Sequence, residues 1–243
     1  YNNSKQEIPE TPRKINCQEN AHKWVTSFLT LKNIMDYYLA VNGNSEKEFQ
    51  QLVARENNFS TISNESEYFI SDIEVSDSKS GARFDLMAIR WPATKRKSGE
   101  NCKPVFIEMK YGDGAISGKA GLLKHLKDFD AFIADKTRYE TLLQVIENQF
   151  VQLDQLQLIN FNKGKSFAKV KISADEKPEV IFILANHNPR GTGLKKILES
   201  KEFAEYGKSP QFDLKFFVSS FAGYGLHTKC MLNLSDFLQL LER

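Results

Sequence analysis

The apolar residues between positions 18 and 41 recur at the three- and four-residue spacing of one helix face, which predicts an N-terminal α-helix. Gly43 follows this segment and should end the helix, because glycine readily adopts the left-handed conformation found at helix C-termini. A second helix is predicted with Ser45 as its cap, since Glu48 three positions later completes a capping-box pattern. It should end near residues 57–58.

From residue 68 onward, the apolar positions form short runs with β-branched and aromatic residues, a pattern typical of strands. Three strands are predicted, at residues 68–75, 84–91 and 104–111. The connections between them are a polar turn at 77–81 and a polar loop at 92–101. Because successive strands joined in this way pair with each other, we expect an antiparallel meander.

The remaining chain alternates helical and strand patterns. A glycine-rich loop at 112–121 leads into an apolar-striped helix that ends near residue 133, and a long helix is predicted over 137–158. Residues 180–185 are almost uniformly apolar, which indicates a strand covered on both faces. The last predicted elements are a short helix near 194–203, strands at 214–219 and 230–234, and a terminal helix capped by Ser235.

These elements predict one α/β domain over residues 1–243, with an N-terminal arm and helix at 1–44, a core at 45–190 and a C-terminal extension at 191–243. A composition of 41% hydrophobic and 26% charged residues is typical of a globular protein with a core, and excludes wholesale disorder. The net charge of +2 gives no general attraction to polyanions, so a nucleic-acid surface would have to be local.

Three scattered cysteines indicate reduced thiols, and no apolar run approaches the roughly 18–20 residues that cross a bilayer. The start of the chain also lacks the basic and apolar regions of a signal peptide. We therefore expect a cytoplasmic protein with no membrane partner.

The second and third predicted strands carry charged residues within their apolar runs. Glu108 and Lys110 alternate along the third strand, so their side chains point the same way, within an apolar segment unsuited to solvated charges. Asp85, on the preceding strand, can complete a cluster of two carboxylates and one ammonium. Carboxylates suit Mg²⁺ or Mn²⁺, and a lysine beside such a metal can orient a water molecule.

In these residues the sequence resembles the PD-(D/E)xK nuclease superfamily. Asp85 matches the motif's aspartate, Glu108 its acidic position, Met109 its free position and Lys110 its lysine, whereas Phe84 replaces the family's proline. The order of predicted elements over about residues 45–190 also matches. The resemblance implies a restriction-endonuclease-like αβββαβ core, in which helices flank a mixed central sheet.

The resemblance further implies a Mg²⁺-dependent (or Mn²⁺-dependent) nuclease that hydrolyses DNA phosphodiester bonds. Asp85, Glu108 and the backbone carbonyl of Met109 would hold the metal, and Lys110 would position the attacking water. Many members add a glutamate from the first core helix. The stretch at 46–53 resembles the helix start of archaeal Holliday-junction resolvases, which favours Glu46 over the other candidates, Glu48 and Glu56.

Two segments could contact nucleic-acid phosphates. One is the basic tip of the second hairpin, and the other is the glycine-rich loop with the helix that follows it. The loop fails the Walker A template at two positions, which argues against a nucleoside triphosphatase. Residues 186–190, after the apolar strand, should border the same cleft. The candidate phosphate-binding residues are Lys95, Arg96, Lys97, Ser117, Lys119, Lys124 and His125.

Several alternatives stay open at this point. The lysines could form an ordinary solvated surface, and His125 could be a partly buried histidine packed against the sheet. The chain could be a non-catalytic nucleic-acid- or protein-binding module that retains the nuclease fold, or an unrelated α/β domain in which Glu108-x-Lys110 is incidental. RNA as substrate and a homodimeric state are also compatible with the sequence.

Overall fold

The computed structural model describes residues 7–43, 45–59, 67–77, 81–96, 100, 102–162, 169–188 and 191–242. The chain divides into two compact units, Tyr1–Glu48 and Phe49–Arg243. Across the described parts of the chain, no helix combines the length and apolar character needed to cross a membrane.

The first unit contains helix α1 (Gln18–Asn42) and the start of α2 (Ser45–Asn58). Gly43 ends α1 as predicted: its φ is 57° and its N–H donates to the carbonyl of Leu39. Ser45 was predicted to cap α2 but is its first helical residue, and residue 44 lies outside the described residues.

The second unit is built on a five-stranded mixed sheet with strand order β1-β2-β3-β4-β5. The first three strands pair antiparallel, which confirms the meander, and β3, β4 and β5 pair parallel. The α/β class and the mixed sheet are therefore as predicted. The strands are β1 (Tyr68–Ser76), β2 (Arg83–Arg90), β3 (Lys103–Tyr111), β4 (Glu179–Ala185) and β5 (Asp213–Val218).

In the described part of the connection from β3 to β4 lie two α-helices, α3 (Leu122–Ala134) and α4 (Lys136–Gln155). The later helices are α5 (Thr192–Leu198), α6 (Lys201–Tyr206), α7 (Ser219–Ala222) and α8 (Leu234–Leu241).

Three local predictions near the C-terminus are wrong. The helix predicted at 194–203 is two helices, since α5 ends at Leu198 and Ser200 caps α6 by accepting the N–H of Phe203. The strand predicted at 230–234 is reduced to one β-bridge between Leu232 and Phe216. The terminal helix is capped by Asn233, whose side chain accepts the N–H of Asp236, and not by Ser235.

The sheet buries an apolar layer on each face. On one face Phe106 of β3 packs with α3 and α4, and on the other Val105, Ile107 and Met109 pack with Val53 of α2. Because side chains alternate along a strand, Glu108 and Lys110 share the face of Phe106. The charged pair of the motif is therefore placed beneath α3.

The edge strand β1 is held by the end of α2. The side-chain amide of Asn58 donates to the carbonyl of Ile70 at 2.7 Å and accepts the N–H of the same residue at 2.7 Å. Asn58 thus takes the place of a neighbouring strand and satisfies two edge groups that would otherwise need a partner.

The substitution Asn58→Ala should therefore lower the free energy of unfolding by about 2–3 kcal/mol, since it removes two hydrogen bonds and leaves both Ile70 backbone groups unpaired. Urea denaturation at constant m-value measures the change. A loss below about 0.5 kcal/mol, the range of an ordinary surface substitution, would contradict this role.

Candidate active site

Strands β2 and β3 separate at the position of Asp85. Their pairing runs from Arg90 opposite Lys103 to Leu86 opposite Ile107, and Asp85 is the next residue of β2. Its carboxylate oxygen Oδ2 accepts the backbone N–H of Met109 at 2.8 Å. A side chain thus replaces a bond between the two strands, and the Asp85 carboxylate lies against the peptide that joins Glu108 to Met109.

Glu108, Lys110 and His125 form a closed polar group under α3. The ammonium Nζ of Lys110 donates to Glu108 Oε1 at 2.6 Å, and His125 Nε2 lies 2.9 Å from the same oxygen. Lys110 Nζ and His125 Nε2 are 3.3 Å apart. The side chains of Glu108 and Lys110 are only 3% and 5% exposed, so this group is almost completely removed from water.

The second oxygen of Glu108 differs from the first in its surroundings. Oε2 is buried, and no hydrogen-bond partner for it is found among the described residues. Burying a carboxylate oxygen without a partner is unfavourable, and a cation at this position would relieve the cost. The donor chemistry fits a hard divalent cation such as Mg²⁺, because both Glu108 and Asp85 offer carboxylate oxygens.

Protein side chains alone do not complete a metal cage here. Within the described residues, no group of three or more His, Cys, Asp or Glu side chains could hold a metal ion. Mg²⁺ commonly uses only one or two carboxylates and keeps several waters, so two carboxylates are sufficient for this metal.

The candidate helix glutamates lie on α2. Glu46 and Glu48 are on its first turn, in the first unit, and Glu56 is half-buried in the second. A role of Glu46 as a metal ligand stays a prediction.

The structure corrects the prediction for Arg96. Its side chain is buried, its Nε donates to the carbonyl of Trp91 at 3.0 Å, and its guanidinium lies 4.8 Å from the centre of the Phe69 ring. Arg96 therefore stabilises the core through a cation–π contact and is not placed to grip a phosphate. Lys95 is exposed, and Lys97 lies outside the described residues.

The predicted residues around the glycine-rich loop divide into two kinds. Ser117, Lys119 and Lys124 are exposed, and Lys124 forms an ion pair with Asp128 one turn later on α3. His125 instead faces the sheet and contacts the motif. The alternative of a partly buried histidine is the one that matches its position, and its spacing from Leu122 and Phe129 on the inner face of α3 was the available signal.

The loops after β3 and β4 meet beside Lys110. His187 Nδ1 lies 3.1 Å from Asp113 Oδ1, and its Nε2 lies 3.2 Å from the backbone carbonyl of Lys110. Asp113 also accepts the N–H of Asn188. Because β3 and β4 are parallel, their carboxyl ends are adjacent, and residue 187 lies beside Lys110. That the segment 186–190 borders a substrate cleft stays a prediction, and residues 189–190 lie outside the described residues.

A second buried charged group has a structural role. Glu179 accepts hydrogen bonds from Tyr68 at 2.8 Å and from Arg90 at 2.5 Å, on the opposite face of the sheet from Lys110. Burial and the charge of Glu179 raise the pKa of Tyr68. Burial lowers the pKa of Arg90, but the attraction of Glu179 leaves it raised overall. Both oxygens of Glu179 have partners, in contrast to Glu108.

One backbone feature next to the motif was not predicted from the sequence. Glu74 of β1 lies between the pairs Ile73–Leu86 and Val75–Phe84, and therefore opposite Asp85. Its φ is 57°, a left-handed conformation that is uncommon for glutamate. Phe84, the residue before Asp85, stacks on Phe129 at a ring distance of 5.4 Å and so fills the core under α3.

Comparison of the chain with protein-family models, with curated proteins and with solved structures gave no match.

Proposed function

We propose that this protein is a Mg²⁺- or Mn²⁺-dependent nuclease of the PD-(D/E)xK type that hydrolyses phosphodiester bonds in DNA. The observation that carries the proposal is the buried Oε2 of Glu108, which has no hydrogen-bond partner among the described residues and lies on the residue next to the peptide that Asp85 holds, beside a buried lysine. The element order α2-β1-β2-β3-α3-α4-β4 supports a restriction-endonuclease-like core. The αβββαβ core that the resemblance implies has one helix between its third and fourth strands, whereas the described chain has the two that its sequence predicts.

Each motif residue has a distinct task in this proposal. Asp85, Glu108 and the Met109 carbonyl hold the cation, which when bound would neutralise charge that develops on the phosphate oxygens. Lys110 orients the attacking water. Its ammonium carries three N–H donors, and the described contacts with Glu108 and His125 use at most two of them, so one remains for a water molecule.

The burial of the motif limits how substrate approaches. Glu108 and Lys110 are almost inaccessible, whereas Asp85 is half-buried. The inner pair therefore suits small partners such as a cation or a water, and the substrate phosphate approaches on the side of Asp85. Among the described residues, the exposed Lys95, Ser117 and Lys119 are the candidates for contacts to the DNA backbone, whereas the exposed Lys124 is already paired with Asp128.

The proposal is tested by incubating purified protein with linear, supercoiled, branched and single-stranded DNA, and with RNA, in Mg²⁺, Mn²⁺ or EDTA. We expect cleavage of at least one DNA substrate with either metal and none in EDTA. If every substrate stays intact, the nuclease proposal fails. Salt-sensitive DNA binding that is insensitive to EDTA and to Asp85→Ala would instead identify the non-catalytic binding module.

A further inference from the structure

We infer that His187 is a positioning residue that fixes the backbone of Lys110 at the end of β3. This inference rests on the proposed function and adds a residue from the loop after β4 to the motif. Its basis is a pair of contacts made by one ring: Nε2 lies 3.2 Å from the backbone carbonyl of Lys110, and Nδ1 lies 3.1 Å from Asp113 Oδ1. The side chain of His187 is only 9% exposed, so water competes little for these two contacts.

The chemistry of the two oxygens determines what the ring donates. A backbone carbonyl oxygen only accepts hydrogen bonds, so the contact with Lys110 requires a proton on Nε2. An ionised carboxylate also only accepts, so the contact with Asp113 requires a proton on Nδ1. Together the two contacts describe an imidazolium that bridges two acceptors, with the Asp113 carboxylate as its counter-charge.

The chain after β4 turns so that His187 reaches back to β3. Asn186 has a φ of 53°, a left-handed conformation that asparagine tolerates better than most residues, and its N–H donates to Ser220 Oγ at 3.1 Å. On the other side of the ring, Asp113 also accepts the backbone N–H of Asn188 at 3.1 Å. The loops after β3 and β4 therefore hold the imidazole from both sides.

Strand pairing alone does not account for a histidine at this place. β3 and β4 are joined along their length, and beyond them the N–H of Gly112 donates to the carbonyl of Ala185 at 2.9 Å. The ring adds a bond to the carbonyl of Lys110, the motif residue proposed to orient the attacking water. Because this bond fixes the point from which the side chain extends towards Glu108, its loss should displace the ammonium and slow the chemical step.

The test uses two amides that match different nitrogens of the ring. His187→Gln can place an amide N–H near the position of Nε2 and donate to Lys110, whereas the shorter His187→Asn can place one only near Nδ1 and donate to Asp113. His187→Ala removes both donors, and His22→Ala, at an exposed position of α1, is the control. Cleavage rates are measured across Mg²⁺ and DNA concentrations, and urea denaturation gives the free energy of unfolding of each variant.

We expect His187→Ala and His187→Asn to lower the cleavage rate at saturating Mg²⁺ and DNA by about 10–100-fold, since a displacement of about 1 Å can cost about 100-fold. The Mg²⁺ concentration for half-maximal cleavage should not change, because none of the contacts described for His187 reaches Asp85 or Glu108. His187→Gln should recover most of the rate, and His22→Ala should match the wild type.

The proton on Nε2 can be observed independently of activity. In a long-range ¹⁵N–¹H nuclear magnetic resonance spectrum, the ring signals of His187 are identified by their absence from His187→Gln. They should show a proton on Nε2 near neutral pH. An Nε2 without a proton overturns the inference, because the carbonyl of Lys110 then has no donor.

The rates separate the two proposals. Wild-type rates in His187→Ala and His187→Asn, in a protein that cleaves DNA, overturn the role of His187 alone. The Gln and Asn variants each lose one of the two bonds, so equal losses of rate and of stability would mark His187 as merely structural and overturn it too. A wild-type protein that cleaves no DNA overturns both proposals. If His187→Ala does not fold, the comparison of Gln with Asn still decides.

Discussion

Asp85→Asn is expected to abolish metal-dependent DNA cleavage while it leaves the fold intact. The substitution removes one of the two carboxylates proposed to bind the metal. Loss of an indirect partner typically lowers affinity or activity by about 10–100-fold, and loss of a direct ligand should exceed this range. The amide oxygen of asparagine can still accept the N–H of Met109, so the link between β2 and β3 is retained.

Without metal, the stability of Asp85→Asn should be unchanged or slightly higher than that of the wild type, because neighbouring carboxylates repel each other when no cation lies between them. Asp85→Ala removes the bond to Met109 as well and should lower the free energy of unfolding by about 0.5–1.5 kcal/mol. Cleavage rate, Mn²⁺ affinity and urea denaturation in EDTA measure these effects.

Asp128→Asn is the matched control, since Asp128 forms only a surface ion pair with Lys124 in its described contacts. It should keep wild-type cleavage. Full cleavage by Asp85→Asn would show that Asp85 is not part of the active site. If Asp85→Asn lowers the free energy of unfolding by more than about 2 kcal/mol, Asp85 is instead a structural residue.

The strands were predictable because their signal is local. The strands around Val105 and Ile181 are buried on both sheet faces, so their consecutive residues are apolar, and this run is visible in the sequence. Helix α1 and its end at Gly43 were predictable for the same reason. The break between α5 and α6 could not be predicted, because it depends on the capping geometry of Ser200. The shortened strand at Leu232 could not be predicted either, because its length depends on how it pairs with Phe216.

Within the candidate site, sequence spacing placed Glu108 and Lys110 on one face, but it could not determine which groups lie opposite them. The contact with His125 depends on how α3 packs over β3, and that arrangement follows from many distant apolar contacts. For Arg96 the sequence pattern predicted the wrong environment. A basic cluster in a polar loop predicts exposure, yet the rings of Phe69 and Trp91 bind the guanidinium inside.

Lys110→Met should lower both the turnover and the stability of the metal-free protein. Methionine has a similar length but no donor to orient water, and groups that assist proton transfer typically contribute about 10²–10⁴-fold to a rate. The substitution also takes from Glu108 the ammonium that lies 2.6 Å away, in a group where both side chains are nearly inaccessible. Removing one partner of such a pair costs about 3–5 kcal/mol.

The metal provides the means to separate these two effects. A divalent cation at Glu108 compensates the charge left by Lys110→Met, so saturating Mg²⁺ should stabilise this variant more than it stabilises the wild type. Turnover should stay low at the same Mg²⁺ concentration, since the cation does not replace the donor to the water. Thermal denaturation with and without Mg²⁺, together with single-turnover cleavage, measures both quantities.

The double variant Glu108→Gln/Lys110→Met tests the electrostatic cause. It removes the unpaired carboxylate charge, so most of the stability lost in Lys110→Met should return in EDTA, while cleavage should stay absent because a metal ligand is also lost. Lys124→Met, which removes an exposed partner of Asp128, should change stability by no more than about 0.5 kcal/mol. Wild-type turnover in Lys110→Met would exclude Lys110 from the reaction. A double variant no more stable than Lys110→Met would show that the loss comes from packing, not from a buried charge.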